Sequence, residues 1–150
     1  MVNAQELKQI FLFKNVPEPV LKLVAEAAEE VTFSPGETIA SEGAPAKALY
    51  LIRSGTVRAT REGMSAPVTF GSGESIGQMS ILDGGPAGMT ATALERVDAI
   101  ALRPSRLVEK LGASPEAGFE LFRAVARSLA ARLRRAVDAF ALARDAGGAP

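Results

Sequence analysis

The spacing of apolar and polar positions changes character twice along the chain. Up to about Glu30 it is helical: Leu7, Ile10, Phe11 and Phe13 cluster, Pro17 and Pro19 interrupt, and Leu21, Val24, Ala25 and Ala28 recur at intervals of three and four. Two short helices about a proline turn are predicted. From Val31 to about Arg103 the pattern becomes short apolar segments punctuated by Gly36, Gly43, Gly55, Gly63, Gly71, Gly73 and Gly77. Turn residues at such spacing mark a sandwich or barrel. The predicted strands are Val31-Thr32-Phe33, Leu49-Tyr50-Leu51-Ile52, Val57-Arg58-Ala59-Thr60, Val68-Thr69-Phe70, Met89-Thr90-Ala91-Thr92-Ala93 and Val97-Asp98-Ala99-Ile100-Ala101-Leu102. Pro35-Gly36 and Ser54-Gly55 supply the turn chemistry that hairpins favour.

Helical spacing then returns. After Pro104, Ser105 can cap a helix that carries Leu107, Val108 and Leu111 and that Gly112 would end. Ser114-Pro115-Glu116 restarts one, with serine as N-cap, proline at the first helical position and an acidic side chain at the positive end of the dipole. This last helix is predicted to run to about Asp145. Along it Phe122, Ala126, Leu129, Leu133, Ala136, Phe140 and Ala143 follow alternating steps of four and three, a heptad seam. Such a stripe either packs on the strands of its own chain or pairs with a second copy. Three heptads flanked by arginines exceed what one small domain needs to cover itself, so a homodimer through Phe122, Ala126, Leu129, Leu133, Ala136 and Phe140 is expected. The resulting organisation is a strand-rich unit with its leading helices over residues 1–112, a dimerisation helix over 113–145, and a flexible tail over 146–150.

Composition narrows the chemistry. The chain has 150 residues, 47% of them apolar and 23% charged, which suits one domain with a buried core. It contains neither Cys nor His. Thiol nucleophiles, iron–sulfur clusters, thiolate or imidazole zinc sites, histidine-ligated haem and Ser-His-Asp triads are thereby excluded. No acidic run has calcium-loop spacing, so no metal is expected. Without a phosphate loop or a paired-carboxylate motif either, the chain reads as non-catalytic. The formal charge is zero: residues 1–112 hold 11 Lys/Arg against 13 Asp/Glu, and residues 113–150 hold 6 against 4. Neither part has the basic footprint of a nucleic-acid reader, so direct nucleic-acid binding is not expected. The start Met1-Val2-Asn3-Ala4-Gln5-Glu6 lacks a signal-peptide pattern, and Arg123, Arg127, Arg132, Arg134, Arg135 and Asp138 interrupt the longest apolar stretch, which argues against a membrane span. A cytoplasmic protein is expected.

Taken in order, several short motifs converge. From Phe11 to about Leu111 the chain runs through Leu12-Phe13, Phe33-Ser34-Pro35-Gly36-Glu37-Thr38-Ile39, Gly43, Leu49-Tyr50-Leu51-Ile52-Arg53-Ser54-Gly55, Gly73-Glu74-Ser75-Ile76-Gly77 and Ile81-Leu82-Asp83-Gly84-Gly85-Pro86. This ordered set resembles the cyclic-nucleotide-binding domain shared by bacterial transcription regulators, cyclic-nucleotide-gated channels and kinase regulatory subunits. The resemblance implies a mainly β fold, an eight-stranded jelly-roll β-barrel with N-terminal helices and a long C-terminal helix. It also implies a ligand cassette between two strands, in which a short helix presents backbone N–H groups to the cyclic phosphate.

The cassette maps onto Ile76, Gly77, Gln78, Met79 and Ser80, and onto Ala87, Gly88, Met89 and Thr90. The family's glutamate, which accepts the ribose hydroxyl, corresponds to Gln78, and its phosphate-binding arginine to Ala87. A charge-assisted hydrogen bond contributes about 1.5–3 kcal/mol, so loss of the arginine alone should weaken a cyclic nucleotide roughly tenfold to a hundredfold. Cyclic AMP and cyclic GMP are therefore disfavoured as ligands, and no other cofactor is implied. The expected role is a regulatory module with a small-molecule effector and a protein partner for output. The alternative is a working cyclic-nucleotide receptor with a substitute cation among Lys47, Arg53, Arg58 and Arg61, whose facing strand alternation leaves open. Met79 and Met89 read as core fillers, or as apolar flanks of the pocket.

Overall fold

The computed structural model describes residues 1–147. In chain order it contains α1 (Ala4–Leu7), a 3-10 helix (Phe11–Phe13), α2 (Glu18–Ala27), β1 (Ala28–Phe33), β2 (Thr38–Ala40), β3 (Leu49–Ser54), β4 (Val57–Thr60), β5 (Val68–Phe70) and β6 (Ser75–Ile76). It continues with α3 (Gln78–Asp83), β7 (Thr90–Ala93), β8 (Val97–Leu102), α4 (Pro104–Leu111) and α5 (Pro115–Gly147).

The strands form two four-stranded sheets, β1-β8-β3-β6 and β2-β7-β4-β5, with antiparallel pairing throughout. This corrects the expected closed barrel. The crossing from β5 to β6 explains it: β5 pairs with β4 and β6 with β3. Those short edge strands lie in different sheets, separated by the Gly71-Ser72-Gly73 turn.

Two strands organise both layers. β8 pairs with β1 on one side and β3 on the other, placing Ile100 opposite both Glu30 and Leu51. Strand alternation sends Leu49, Leu51, Ile100 and Leu102 towards the helices, where they join Leu7, Phe13, Leu21, Val24, Leu107 and Leu121 in one core. Tyr50, Ile52, Val97, Ala99 and Ala101 face the second sheet and pack with Val57, Ala59, Ala91 and Ala93. Because both faces are covered, these strands read as nearly continuous apolar runs. Phe33 meets the Tyr50 ring edge-on, with centroids 5.6 Å apart.

The helical lead differs from expectation at its end. Pro17 and Pro19 sit at the N-cap and first turn of α2, where a missing N–H costs nothing, and Val20, Leu21, Val24 and Ala27 form its buried face. The helix stops at Ala27 rather than near Glu30, because Ala28, Glu29 and Glu30 pair with Leu102, Ala101 and Ile100. Likewise Ser105 is not the cap of α4: the helix starts at Pro104, with Arg103 at the N-cap and no side-chain cap bond. Ser114 does cap α5, its hydroxyl accepting from the Ala117 amide at 3.3 Å.

α5 spans 33 residues, about 50 Å of helix. Its buried face is Ala117, Leu121 and Val125, with Ala124 and Leu129 partly covered by the same core. The heptad positions lie on another face. Of the predicted seam only Leu129 touches its own chain's core in this way, while Phe122, Leu133 and Phe140 are 41%, 64% and 69% exposed and Ala126 and Ala136 are also exposed. α5 also continues through Gly147, two residues into the tail expected to be flexible; the rest of that tail, 148–150, lies outside the described residues. Among the described residues no helix is long and apolar enough to cross a membrane, and no group of His, Cys, Asp and Glu could hold a metal ion.

Candidate functional site

The cassette is built from three local devices. First, β6 runs beside β3, with Ser75 opposite Leu51 and Ile76 opposite Tyr50, and the chain then turns sharply at Gly77. Gly77 has φ +100°, and a Cβ there would lie 2.8 Å from the Ala48 carbonyl oxygen, so both conformation and space require glycine. Second, α3 occupies a single short stretch, closed by Gly84 at φ +69°, whose N–H donates to Ser80 O at 2.9 Å. Third, the return segment is fastened to the loop before β3. Gly43 N donates to Ala87 O and Ala87 N to Ala44 O, both at 2.9 Å. The Ser80 hydroxyl donates to Pro86 O at 3.2 Å, and Glu42 N to the Thr90 hydroxyl at 3.0 Å.

These bonds bring the two predicted halves of the cassette together. Ile76 packs on the core between the sheets. The Met79 side chain is 57% exposed, so it is not a core filler, and its methyl group lies 3.3 Å from where a Cβ on Gly88 would sit. Met89 is half-buried. At position 87 the side chain has no polar atom and the backbone N–H is already engaged by Ala44.

Gln78 is the only buried polar side chain of the cassette among the described residues, at 2% exposed. Its carboxamide is oriented by its neighbours. With the oxygen turned towards α5, Oε1 accepts from Arg132 Nη2 and Nη1 at 3.0 and 3.2 Å and from the Ser75 hydroxyl at 2.7 Å, while Nε2 donates to Ser75 O at 3.2 Å. Arg132 Nη2 also donates to Ser75 O at 3.2 Å, and the guanidinium lies 5.7 Å from the centroid of the Phe70 ring. Burial pushes the Arg132 pKa below the ordinary arginine value; Glu74 opposes that shift and Arg135 adds to it. It remains a cation at neutral pH.

The substitute cations considered from sequence all point elsewhere. Arg53 ion-pairs with Glu6 and with Glu30, the latter at 2.8 Å, and the Glu6 hydrogen bond raises its pKa above the ordinary value. Arg58 projects outward between the buried Val57 and Ala59, Arg61 is 63% exposed and 3.9 Å from a Glu42 oxygen, and Lys47 is exposed. The cation that does reach the cassette, Arg132, entered the sequence reading only as an interruption of an apolar stretch. A usable signal was present: position 132 falls seven residues after the buried Val125 and eleven after the buried Leu121, along the same inward stripe.

Comparison with known proteins identifies the family. The profile of the cyclic nucleotide-binding domain matches residues 30–113. The chain is 31% identical, over 128 residues, to the CRP-like cAMP-activated global transcriptional regulator of Mycobacterium tuberculosis, covering 83% of this chain and 55% of that protein. It is 35% identical over 75 residues to the cAMP-dependent protein kinase regulatory subunit of Emericella nidulans, covering 49% of this chain and 18% of that one. Thus it spans about half, or less, of the length of these relatives. The crystal structure of the N-terminal domain of a transcriptional regulator from Streptomyces coelicolor superposes with a TM-score of 0.71 at 33% identity, covering 90% of this chain and 94% of that one. The motifs, the cassette between β6 and β7 and these matches together make the chain a member of the cyclic nucleotide-binding domain family, of the kind found in transcriptional regulators and kinase regulatory subunits.

Proposed function

We propose that the chain is a non-catalytic sensor or regulatory module whose cassette does not bind cyclic AMP or cyclic GMP in the family's usual way. The observation that carries this reading is the state of position 78. Where the resemblance asks for a charged ribose acceptor, a neutral amide is buried and its hydrogen-bonding groups are engaged by Ser75 and Arg132. Ala87 adds no charge for the phosphate. A ribose hydroxyl at position 78 would have to displace these internal hydrogen bonds, and the cyclic phosphate would meet the uncharged Ala87, at a combined cost of several kcal/mol.

Isothermal titration with cyclic AMP and cyclic GMP tests this. No binding tighter than about 100 µM is expected, a standard free energy of about −5.5 kcal/mol. Micromolar or tighter binding overturns the reading. In a parent without such affinity, the double replacement of Gln78→Glu with Ala87→Arg should install measurable binding.

The reading includes a cytoplasmic homodimer formed through α5, and the two sheets as the halves of a jelly roll. Supporting the dimer is the row Phe122, Leu133, Val137 and Phe140, all between 41% and 69% exposed on one chain. Phe122→Glu and Phe140→Glu should halve the mass of the parent protein by size-exclusion chromatography with light scattering. A monomeric parent, or variants of unchanged mass, would remove the dimer from the proposal. Output would pass to a protein partner, by an effector shifting the terminal helices.

A further inference from the structure

A cavity of about 710 Å³ lies outside the cassette, between the inner flank of α5, the edge strands β5 and β6, and the 3-10 helix. Its volume is in the range of small-molecule sites. Two features of its lining stand out physically.

The first is uncompensated positive charge. Arg127, Arg132 and Arg135, all on α5, border the cavity. Most other arginines of the molecule have a carboxylate partner: Arg53, Arg61, Arg96, Arg103, Arg106 and Arg123 each form an ion pair. Among the described residues none is formed by these three. The two carboxylates on the cavity wall form no ion pair with these three, and only Glu74 acts on one of them, its charge favouring the Arg132 cation from a distance. Glu120 pairs with Arg123 at 3.8 Å, and Glu74 accepts from the Gly71 amide at 3.4 Å. Arg132 is half-buried, and its hydrogen-bond partners are a backbone carbonyl and an amide oxygen. Cations gathered at a partly dry wall repel one another and favour an anion among them.

The second is apolar surface that remains largely exposed. Phe11 and Val68, on the same wall, are 69% and 42% exposed. The Phe11 backbone is anchored, its amide donating to Gly73 O at 2.9 Å, and one edge of its ring lies against Gly73, 3.3 Å from where a Cβ there would sit. The cavity therefore offers fixed apolar contacts on one side and guanidinium groups on the other.

We propose that this cavity is a second ligand site for an amphipathic organic anion: a carboxylate, sulfonate or phosphate carried on a flat apolar body. Arg127 and Arg135 hold the anionic group, and Phe11 and Val68 hold the body. The site goes beyond the reading of the cassette and stands whether or not that cassette takes a cyclic nucleotide. It also touches the cassette through Arg132, because a guanidinium drawn towards an anion in the cavity is drawn away from Gln78 and Ser75. An occupant of the cavity would thus be felt at α3.

The probe is 1-anilinonaphthalene-8-sulfonate, an aryl sulfonate whose fluorescence rises in apolar surroundings, titrated into the full chain. Saturable binding of one molecule per chain is expected. The double variant Arg127→Ala with Arg135→Ala, both exposed and outside the core, should weaken it at least about tenfold while leaving the thermal midpoint unchanged. Val68→Glu should weaken it similarly. The uncharged analogue N-phenyl-1-naphthylamine should bind at least about tenfold more weakly than the sulfonate and be indifferent to the arginine changes. Phe122→Glu with Phe140→Glu, on the other face of α5, should alter sulfonate binding less than twofold. Absence of saturable binding, equal affinity in the arginine variant, or loss of binding in the Phe122 and Phe140 variant would each overturn the proposal.

Discussion

The β3–β8 pair and the cassette are neighbours, yet they hold their shape by different means. In the pair, Leu49, Leu51 and Ile52 on one strand and Val97, Ile100 and Leu102 on the other are fully buried, and the two faces of the ladder serve two cores. Burial there is redundant and non-directional. In the cassette, by contrast, one helix of six residues and its return segment depend on glycines with positive φ and on single hydrogen bonds to Ser80, Pro86, Ala44 and Thr90. The difference teaches that side chains in the cassette can change with less consequence for the scaffold than side chains in the ladder. Apolar layers constrain one another, whereas Gln78 is held by single hydrogen bonds to Ser75 and Arg132 and Ala87 by its backbone bonds to Gly43 and Ala44.

Breaking the redundant region should have the largest effect. Leu51 sits opposite Ile100 with neither exposed, so Leu51→Ala leaves a cavity against the helices. A loss of about 2–5 kcal/mol in the free energy of unfolding by urea is expected. A smaller, localised effect is expected from Gly77→Ala, which places a Cβ 2.8 Å from Ala48 O at a left-handed backbone. About 1–3 kcal/mol should be lost, and hydrogen exchange should accelerate over residues 78–90 before it does in β3 and β8. If exchange accelerates equally in both regions, the cassette is not held separately from the β3–β8 pair.

The smallest effect concerns the outer surface of the β1–β8 pair. Asp98 accepts from the Thr32 hydroxyl at 2.9 Å, and this bond, aided by Arg96 and Ser54, lowers its pKa below the usual 3.8. The ionised form is thus favoured on folding. Its stabilisation is fully present above the unfolded pKa and is lost as pH falls through the lower, folded one. Glu30 follows the same rule, with Arg53 as the chief cause. Thr32→Val should therefore lower the thermal midpoint slightly at neutral pH, and the gap to the parent should close as pH falls below about 3.8. A gap that stays constant down to pH 2 would separate the Thr32 effect from Asp98 ionisation.

Much of the architecture is legible in the residue pattern. All six predicted strands begin and end within three residues of their observed limits, and Val57–Thr60, Val68–Phe70 and Val97–Leu102 match residue for residue, because apolar alternation, glycine turns and proline stops agree locally. The two strands that pattern reading misses, Thr38–Ala40 and Ser75–Ile76, have three and two residues, too few for a period to show. That positions 78 and 87 carry no charge was equally legible, since it needs only identity at a position. Where the side chains of Arg53, Arg58 and Arg61 go was not, because a period of two says that neighbours oppose each other without saying which face is inside.

By itself the sequence determined the order of elements, the glycine-shaped cassette, the neutral residues within it and the heptad stripe, all of which depend on local conformation or on residue identity. Tertiary structure decided that α2 yields to β1 at Ala28, that eight strands divide into two sheets, and that Arg132 braces Gln78 from a helix more than fifty residues away. Those outcomes rest on contacts between distant segments, and a contact of that kind has no period along the chain.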